Sequence, residues 1–101
     1  MLPHNLLGLL GLAQRAGKVI LGATAVTHEI RRSRRPLLVI FAVDFSAATK
    51  ERLLARAPIR PHVMESGTMQ EWGAFFGRQQ VGVMAISDKN FIAGILEKAK
   101  S

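Results

Sequence analysis

The side chains able to do covalent chemistry are few and scattered. Three histidines, His4, His28 and His62, stand among Ser46, Ser66, Ser87, Asp44 and Asp88 without a shared spacing. No glycines frame a serine as a nucleophile elbow would, and nothing in the pattern nominates a base for a hydroxyl. No two histidines stand at metal-ligand spacing, and the chain has no cysteine, so thiolate metal sites, disulfides and cysteine catalysis are excluded. Gly8, Gly11 and Gly17 belong to a helical stretch and lack the Lys-Ser/Thr of a phosphate loop; close helix packing explains them better. An enzyme is not expected on these grounds, and no cofactor or metal is called for.

Cations are what the chain has in excess. Fourteen Lys and Arg face seven Asp and Glu, a formal charge of +7. Ten of the basic residues and only three of the acids lie between Arg15 and Arg60, so the entire excess belongs to that stretch. Four arginines fall between Arg31 and Arg35 alone. This is how an electrostatic footprint for phosphate looks. Four arginines each neutralising one duplex phosphate would give a salt slope of about −3.6 and a loss of affinity of order a hundredfold between about 50 and 200 mM salt. The competing reading of the same run is a solvated helix end whose cations complement the helix dipole.

The elements that must position these residues follow from the rest of the chain. One hundred and one residues, 49% hydrophobic, make one domain over 1–101 with core enough to fold without covalent staples. The charge-free apolar run from Pro36 to Val43 is far short of the ~20 residues that cross a bilayer. Leu6, Leu7, Leu9, Leu10 and Leu12 form an apolar stretch with no preceding Lys or Arg, and Arg15 sits where a signal peptide needs small residues. The stretch therefore reads as a helix of a mature cytoplasmic protein, with no membrane partner.

Asn5 is the expected cap of that helix and Gly17 its left-handed end. Lys18 to Leu21 reads as a short strand, and Gly22 opens a second helix to about Arg32, with Pro36 preventing its continuation. Leu37 to Ala42 is apolar at every position, as in a strand covered on both faces. Ser46 caps a third helix with Leu53, Leu54 and Ala57 inward, and Ile59 to Met64 reads as a strand that Pro61 pushes to a sheet edge. Thr68-Met69-Gln70-Glu71 is a capping-box pattern opening a helix through Trp72, Phe75 and Phe76 to Gly77. These aromatics at helical spacing read as core rather than as a base-stacking platform. Val81 to Ile86 is the last strand, and Ser87 or Asp88 caps a final helix with Phe91, Ile92, Ile95, Leu96 and Ala99 on one face. The alternation predicts helices on both faces of a single sheet.

On the second helix, ~100° per residue puts Ala23, Val26 and Ile30 on one side and Thr24, Ala25, His28, Arg31 and Arg32 on the other. Gly22 allows a tight turn and bares the first helical amides, which suit an anion. Phosphates lying across that end would meet Arg32 and the Arg34-Arg35 turn further along.

Four segments carry a family likeness: Gly11-Leu12-Ala13-Gln14-Arg15-Ala16-Gly17-Lys18; Gly22-Ala23-Thr24-Ala25-Val26-Thr27-His28; Leu38-Val39-Ile40-Phe41-Ala42-Val43-Asp44; and Ala85-Ile86-Ser87-Asp88-Lys89-Asn90-Phe91. Together they resemble the ribosomal L-seven-Ae / L-thirty-e superfamily, most closely its small bacterial members regarded as ribosomal or kink-turn RNA-binding proteins. The resemblance covers nearly the whole chain. It implies an α/β fold, a three-layer α/β/α sandwich with a four-stranded mixed sheet.

It also implies a site. Kink-turn binders of the family use a Gly-Ala-Asn-Glu-x-Thr-Lys pattern at the start of the second helix to read sheared G·A pairs, and a loop before the last strand closes over flipped-out bases. Gly22, Ala23 and Thr27 match that pattern, and Arg32 falls where the family often keeps a basic residue. Thr24 replaces the Asn, Ala25 the Glu and His28 the Lys, while the second loop falls at Arg78-Gln79-Gln80-Val81, with Gln80 near a position where these binders favour an apolar residue. A carboxylate or amide on a base edge is worth roughly 1 to 3 kcal/mol by analogy with groove contacts, and Ala25 supplies none of it. What the resemblance implies is a monomeric, cytoplasmic, non-enzymatic protein binding structured RNA, ribosomal RNA included, with ribosomal proteins as further partners. Lys18, Arg32, Arg34 and Arg35 would hold phosphates, Thr24 and His28 would make polar contacts, and kink-turn specificity would be weakened or altered. The alternative is a protein-interaction module that kept the fold after losing kink-turn recognition.

Overall fold

Local signals in the chain set the ends of the helices. In the computed structural model, which describes residues 1–100, α1 spans His4–Arg15, β1 Val19–Leu21 and α2 Ala23–Arg32. They are followed by β2 (Leu38–Phe41), α3 (Ala47–Ala55), β3 (His62–Glu65), α4 (Met69–Phe76), β4 (Val83–Ile86) and α5 (Lys89–Ala99). Ser46 Oγ accepts from the Thr49 amide at the start of α3. The Thr68–Glu71 capping box closes reciprocally at the start of α4, and Asp88 rather than Ser87 caps α5 by accepting from the Asn90 and Phe91 amides. Each of these residues satisfies helical N–H groups that have no partner inside the helix.

Asn5 departs from the expectation. Pro3 is the residue that precedes α1, and the Asn5 amide nitrogen instead donates to the Lys98 carbonyl at 2.9 Å, tying α1 to the end of α5. The strands are also shorter than the apolar runs that announced them: Lys18, Leu37, Ala42, Val81 and Gly82 lie outside the ladders, although Leu37, Ala42 and Val81 are buried. Backbone bonding continues at the strand ends, with the Leu37 carbonyl accepting from the His62 amide and the Ala42 amide donating to the Gly82 carbonyl, each at 2.8 Å.

The four strands form one mixed sheet in the order β1-β4-β2-β3, with β4 antiparallel to both neighbours and β2 parallel to β3. Period-two alternation divides the core. Leu38, Ile40, Met84 and Ile86 point to the side of α1, α4 and α5, where Leu6, Leu10, Trp72, Ile92 and Ile95 meet them. Val39, Phe41, Val83 and Ala85 point to the side of α2 and α3, where Val26, Ile30 and Leu53 meet them. The architecture is thus a three-layer α/β/α sandwich, and β2 and β4, buried at every position, are its centre. β3 is an edge strand, as Pro61 beside it requires, and it is largely exposed.

Trp72 is fully buried, its indole nitrogen donating to the Ser66 carbonyl at 2.6 Å with Phe75 and Phe76 packed around the ring. The α4 aromatics are core. Among the described residues, no helix is long and apolar enough to cross a membrane, and no three His, Asp or Glu side chains come together as a metal site would need.

Candidate nucleic-acid interface

α2 is amphipathic by its spacing, and the sheet decides which face is hidden. Val26 and Ile30 are buried against β2 and β4, each side chain stabilising the fold by about 1.5–3 kcal/mol. Thr24, Ala25, His28, Arg31 and Arg32 are exposed on the opposite face, whereas Ala23 is half-buried against the core. A shallow groove along that face is lined by Ala23, Thr24, Thr27, His28, Arg31 and Arg32.

The entrance to this helix is made by Gly22, whose φ of +94° is a conformation that side chains resist. Its amide donates to the Val83 carbonyl at 3.0 Å, which pins the turn to the start of β4. No side chain among the described residues caps α2, so its first amides face outward with the partial positive charge of the helix end.

The loop before β4 reaches the same end of the sheet. Residues 78–80 are exposed, and the loop folds back on α4: the Arg78 amide donates to the Gly73 carbonyl and the Val81 amide to the Met69 carbonyl, at 2.7 and 3.0 Å. Gly73 permits this approach. A Cβ there would stand 2.6 Å from the Gln79 carbonyl oxygen and 2.8 Å from that of Arg78. Val81 must be corrected as a contact residue, because its side chain is 2% exposed and belongs to the core under α4.

The cations do not gather here. Strand pairing sets Val19, Ile86, Leu38 and His62 side by side, so every connection that precedes β1, β2 or β3, or follows β4, lies at that end of the sheet. The turn before β1 carries Lys18 there, and the α2–β2 turn carries Arg34 and Arg35. Arg56 and Arg60 lie in the α3–β3 connection, Arg15, Arg31 and Arg32 close the helices that end there, and Lys89 opens α5. Gly22 and residues 78–80 lie at the opposite end, with α2, about 15 Å long, running between the two.

Ten of the fourteen cations, Arg52 in the last turn of α3 included, thus lie toward that end of the sheet with Glu29, Glu51 and Asp88, and the other four cations are matched by the other four acids. All of the formal charge of +7 is at that end. Elsewhere, Lys50 pairs with Glu65 while lying over the Phe41 ring, and the Met1 ammonium pairs with Glu71 at 3.0 Å. That ammonium, followed by the Thr68 amide, holds the Glu71 carboxyl below the usual carboxylate range.

The site residues therefore form two groups. Gly22, Ala23, Thr24, Ala25 and His28 stand at the end that also holds Arg78, Gln79 and Gln80; Lys18, Arg34 and Arg35 stand at the other, and Arg32 links the two along α2. Arg32 is partly committed, its Nε donating to Glu29 Oε1 at 2.8 Å, a pair that the i,i+3 spacing already contained. Arg56 and Arg60 are additions that no local pattern announces, since strand register alone brings them beside Arg34 and Arg35.

No protein-family model and no curated sequence matches the chain. Among solved structures it is similar to a Bacillus halodurans protein of unknown function, at 27% identity and a TM-score of 0.81 over 95% of this chain and 97% of that one. It is also similar to the Giardia lamblia 15.5kD RNA binding protein, at 21% identity and a TM-score of 0.69 over 95% of this chain and 85% of that one. The three chains share a fold. At this level of identity the likeness to the Giardia protein concerns architecture: a four-stranded mixed sheet between two helical layers, on which a protein named for RNA binding is also built.

Proposed function

We propose that this protein is a non-enzymatic, cytoplasmic binder of structured RNA, built as in the L-seven-Ae / L-thirty-e superfamily and associated with ribosomal or other folded RNA. The observation that carries the reading is the presence, at one end of the sheet, of both the uncapped start of α2 and the exposed loop 78–80. Two converging backbone segments with polar side chains suit RNA, whose recognition relies on shape and on unpaired bases rather than on filling a deep groove. Gly22 lets an RNA backbone approach the first amides, Thr24 and His28 offer hydrogen bonds from the exposed face, and Arg78, Gln79 and Gln80 supply donors and acceptors from the loop. Ala25 contributes shape alone. The fold likeness to an RNA-binding protein supports the same reading.

The test is equilibrium binding of the purified protein to a consensus kink-turn RNA and to a matched duplex lacking the G·A pairs, each at two salt concentrations. Preference for the kinked RNA, reduced by Thr24→Ala and His28→Ala, is the expected result. Equal affinity for the two RNAs would remove kink-turn recognition from the reading. Binding to neither at low salt would favour the protein-interaction module.

A further inference from the structure

The basic end of the sheet is a surface in its own right. Two of its three acids are already engaged: Glu29 holds Arg32, and Asp88 accepts the Asn90 and Phe91 amides as the cap of α5, while Glu51 lines a groove with Arg60. Arg31, Arg34, Arg35, Arg56 and Arg60 form no ion pair among the described residues, and all five are exposed. The α2–β2 turn that presents two of them is held by its own backbone, with Ser33 Oγ donating to the Arg35 carbonyl at 2.8 Å and receiving the Arg35 amide at 3.3 Å. Arginines gathered at one end without counter-ions repel one another, and an anionic partner relieves that repulsion.

We infer that this end is a second RNA surface, which grips the phosphate backbone of a double-helical stem about 15 Å from the start of α2. The inference rests on the RNA-binding reading but does not require kink-turn preference. Three features select a duplex backbone among polyanions. Eight of the ten cations are arginines, whose planar forks pair with two phosphate oxygens at once. Among the described residues no aromatic side chain is exposed, so the aromatic anchors typical of a protein-binding surface are missing. The cations also come from separate connections across all three layers, forming a broad face rather than a pocket. The shortest extent of the molecule is 24 Å, and that length of duplex carries about 14 phosphates at the ~1.7 Å per charge of double-stranded DNA, about seven of them on its near side.

The arrangement gives the protein two separable functions. The start of α2 and loop 78–80 select an RNA shape, and the basic end supplies affinity to any adjoining stem. The experiment uses a perfect RNA duplex of about 20 base pairs, longer than the patch, with binding measured across a salt series. Replacing Arg34, Arg35, Arg56 and Arg60 together by Gln is expected to make the slope of log affinity against log salt shallower by about 3.6, removing about 150-fold of the wild-type loss between about 50 and 200 mM. Replacing the same four by Lys keeps the charge and is expected to restore most of the slope. Lys98→Gln with Lys100→Gln, remote from the patch, is expected to leave it unchanged.

All of these positions are exposed, and matching thermal melts confirm that each variant is folded. The kinked-to-duplex affinity ratio keeps the two readings apart: the four-arginine variant weakens both RNAs and preserves the ratio, whereas Thr24→Ala and His28→Ala change the ratio and preserve the duplex slope. A wild-type ratio of one would end kink-turn recognition and leave this inference standing. A wild-type slope in the four-arginine Gln variant would overturn it, as would polyglutamate competing with the duplex as effectively as unlabelled duplex does.

Discussion

Gly8 and Gly73 both lie within helices, and the same substitution to Ala is expected to move stability in opposite directions at the two sites. Close helix packing does not account for Gly8, Gly11 or Gly17: a Cβ at each meets nothing within 4 Å, so Gly8→Ala gains the ordinary helix preference of about 0.5–1 kcal/mol. Gly73→Ala earns the same preference but sets a methyl group 2.6 and 2.8 Å from two carbonyl oxygens of the 78–79 backbone. Ordinary contact begins near 3.4 Å, so the loop must retreat by about 0.6–0.8 Å. Retreat is opposed by the Arg78 amide bond to the Gly73 carbonyl and by Val81, buried and tied to the Met69 carbonyl. Overpacking of this kind costs about 1–3 kcal/mol, which leaves a net loss of up to about 2.5 kcal/mol once the helix preference is subtracted. For a domain of this size that is a fall in Tm of up to about 20 °C, whereas Gly8→Ala raises Tm by a few degrees. Differential scanning calorimetry on the pair measures both. RNA binding gives an independent readout, because a displaced loop weakens the kinked RNA while the duplex salt slope holds. If Gly73→Ala melts above wild type and binds unchanged, the loop is not seated on α4 and its place in the site is wrong.

Gly67 combines a φ of +69° with a site where a Cβ would stand 2.7 Å from the Trp72 indole nitrogen, so Gly67→Ala should lower stability by more than Gly73→Ala in the same calorimetry. Glu29→Gln releases Arg32; the duplex salt slope should steepen by up to about 0.9, and no change would mean that Arg32 faces no phosphate. The folded state holds the Glu71 carboxyl below its unfolded value, so its stabilisation is complete above the ordinary carboxylate range and is lost as pH falls through the lowered value. Glu71→Ala should accordingly melt below wild type at neutral pH, and the gap should close in acid; a gap independent of pH would show that charge plays no part. Trp72, buried among Phe75 and Phe76, should keep its emission spectrum when RNA binds, and a large shift would place the aromatic cluster in the interface.

Most of the fold was legible because its signals are local. Capping oxygens at Ser46, Thr68 and Asp88 act within one helical turn, the period-3.6 face of α2 is continuous, and an uninterrupted apolar run has few placements other than a doubly covered strand. Where the reading went astray, a distant partner had intervened. Asn5 has the chemistry of a cap, but the Lys98 carbonyl 93 residues away takes its amide, and Val81 continues an apolar strand pattern yet is held under α4 by the Met69 carbonyl.

The candidate site divides along the same line. The sequence by itself determined that the chain carries a formal charge of +7, that α2 turns Thr24, Ala25, His28 and Arg31 away from its buried face, and that Gly22 opens that helix with its first amides bare. It could not determine where along the molecule the charge would act. Arginines 34, 35, 56 and 60 span connections that adjoin only because β3 lies parallel to β2, and residues 78–80 share an end of the sheet with Gly22 only because β4 is inserted between β1 and β2. Strand order is decided by long-range hydrogen bonding and by burial on both faces of the sheet. Tertiary structure alone therefore separated the end that holds Gly22 from the charged one.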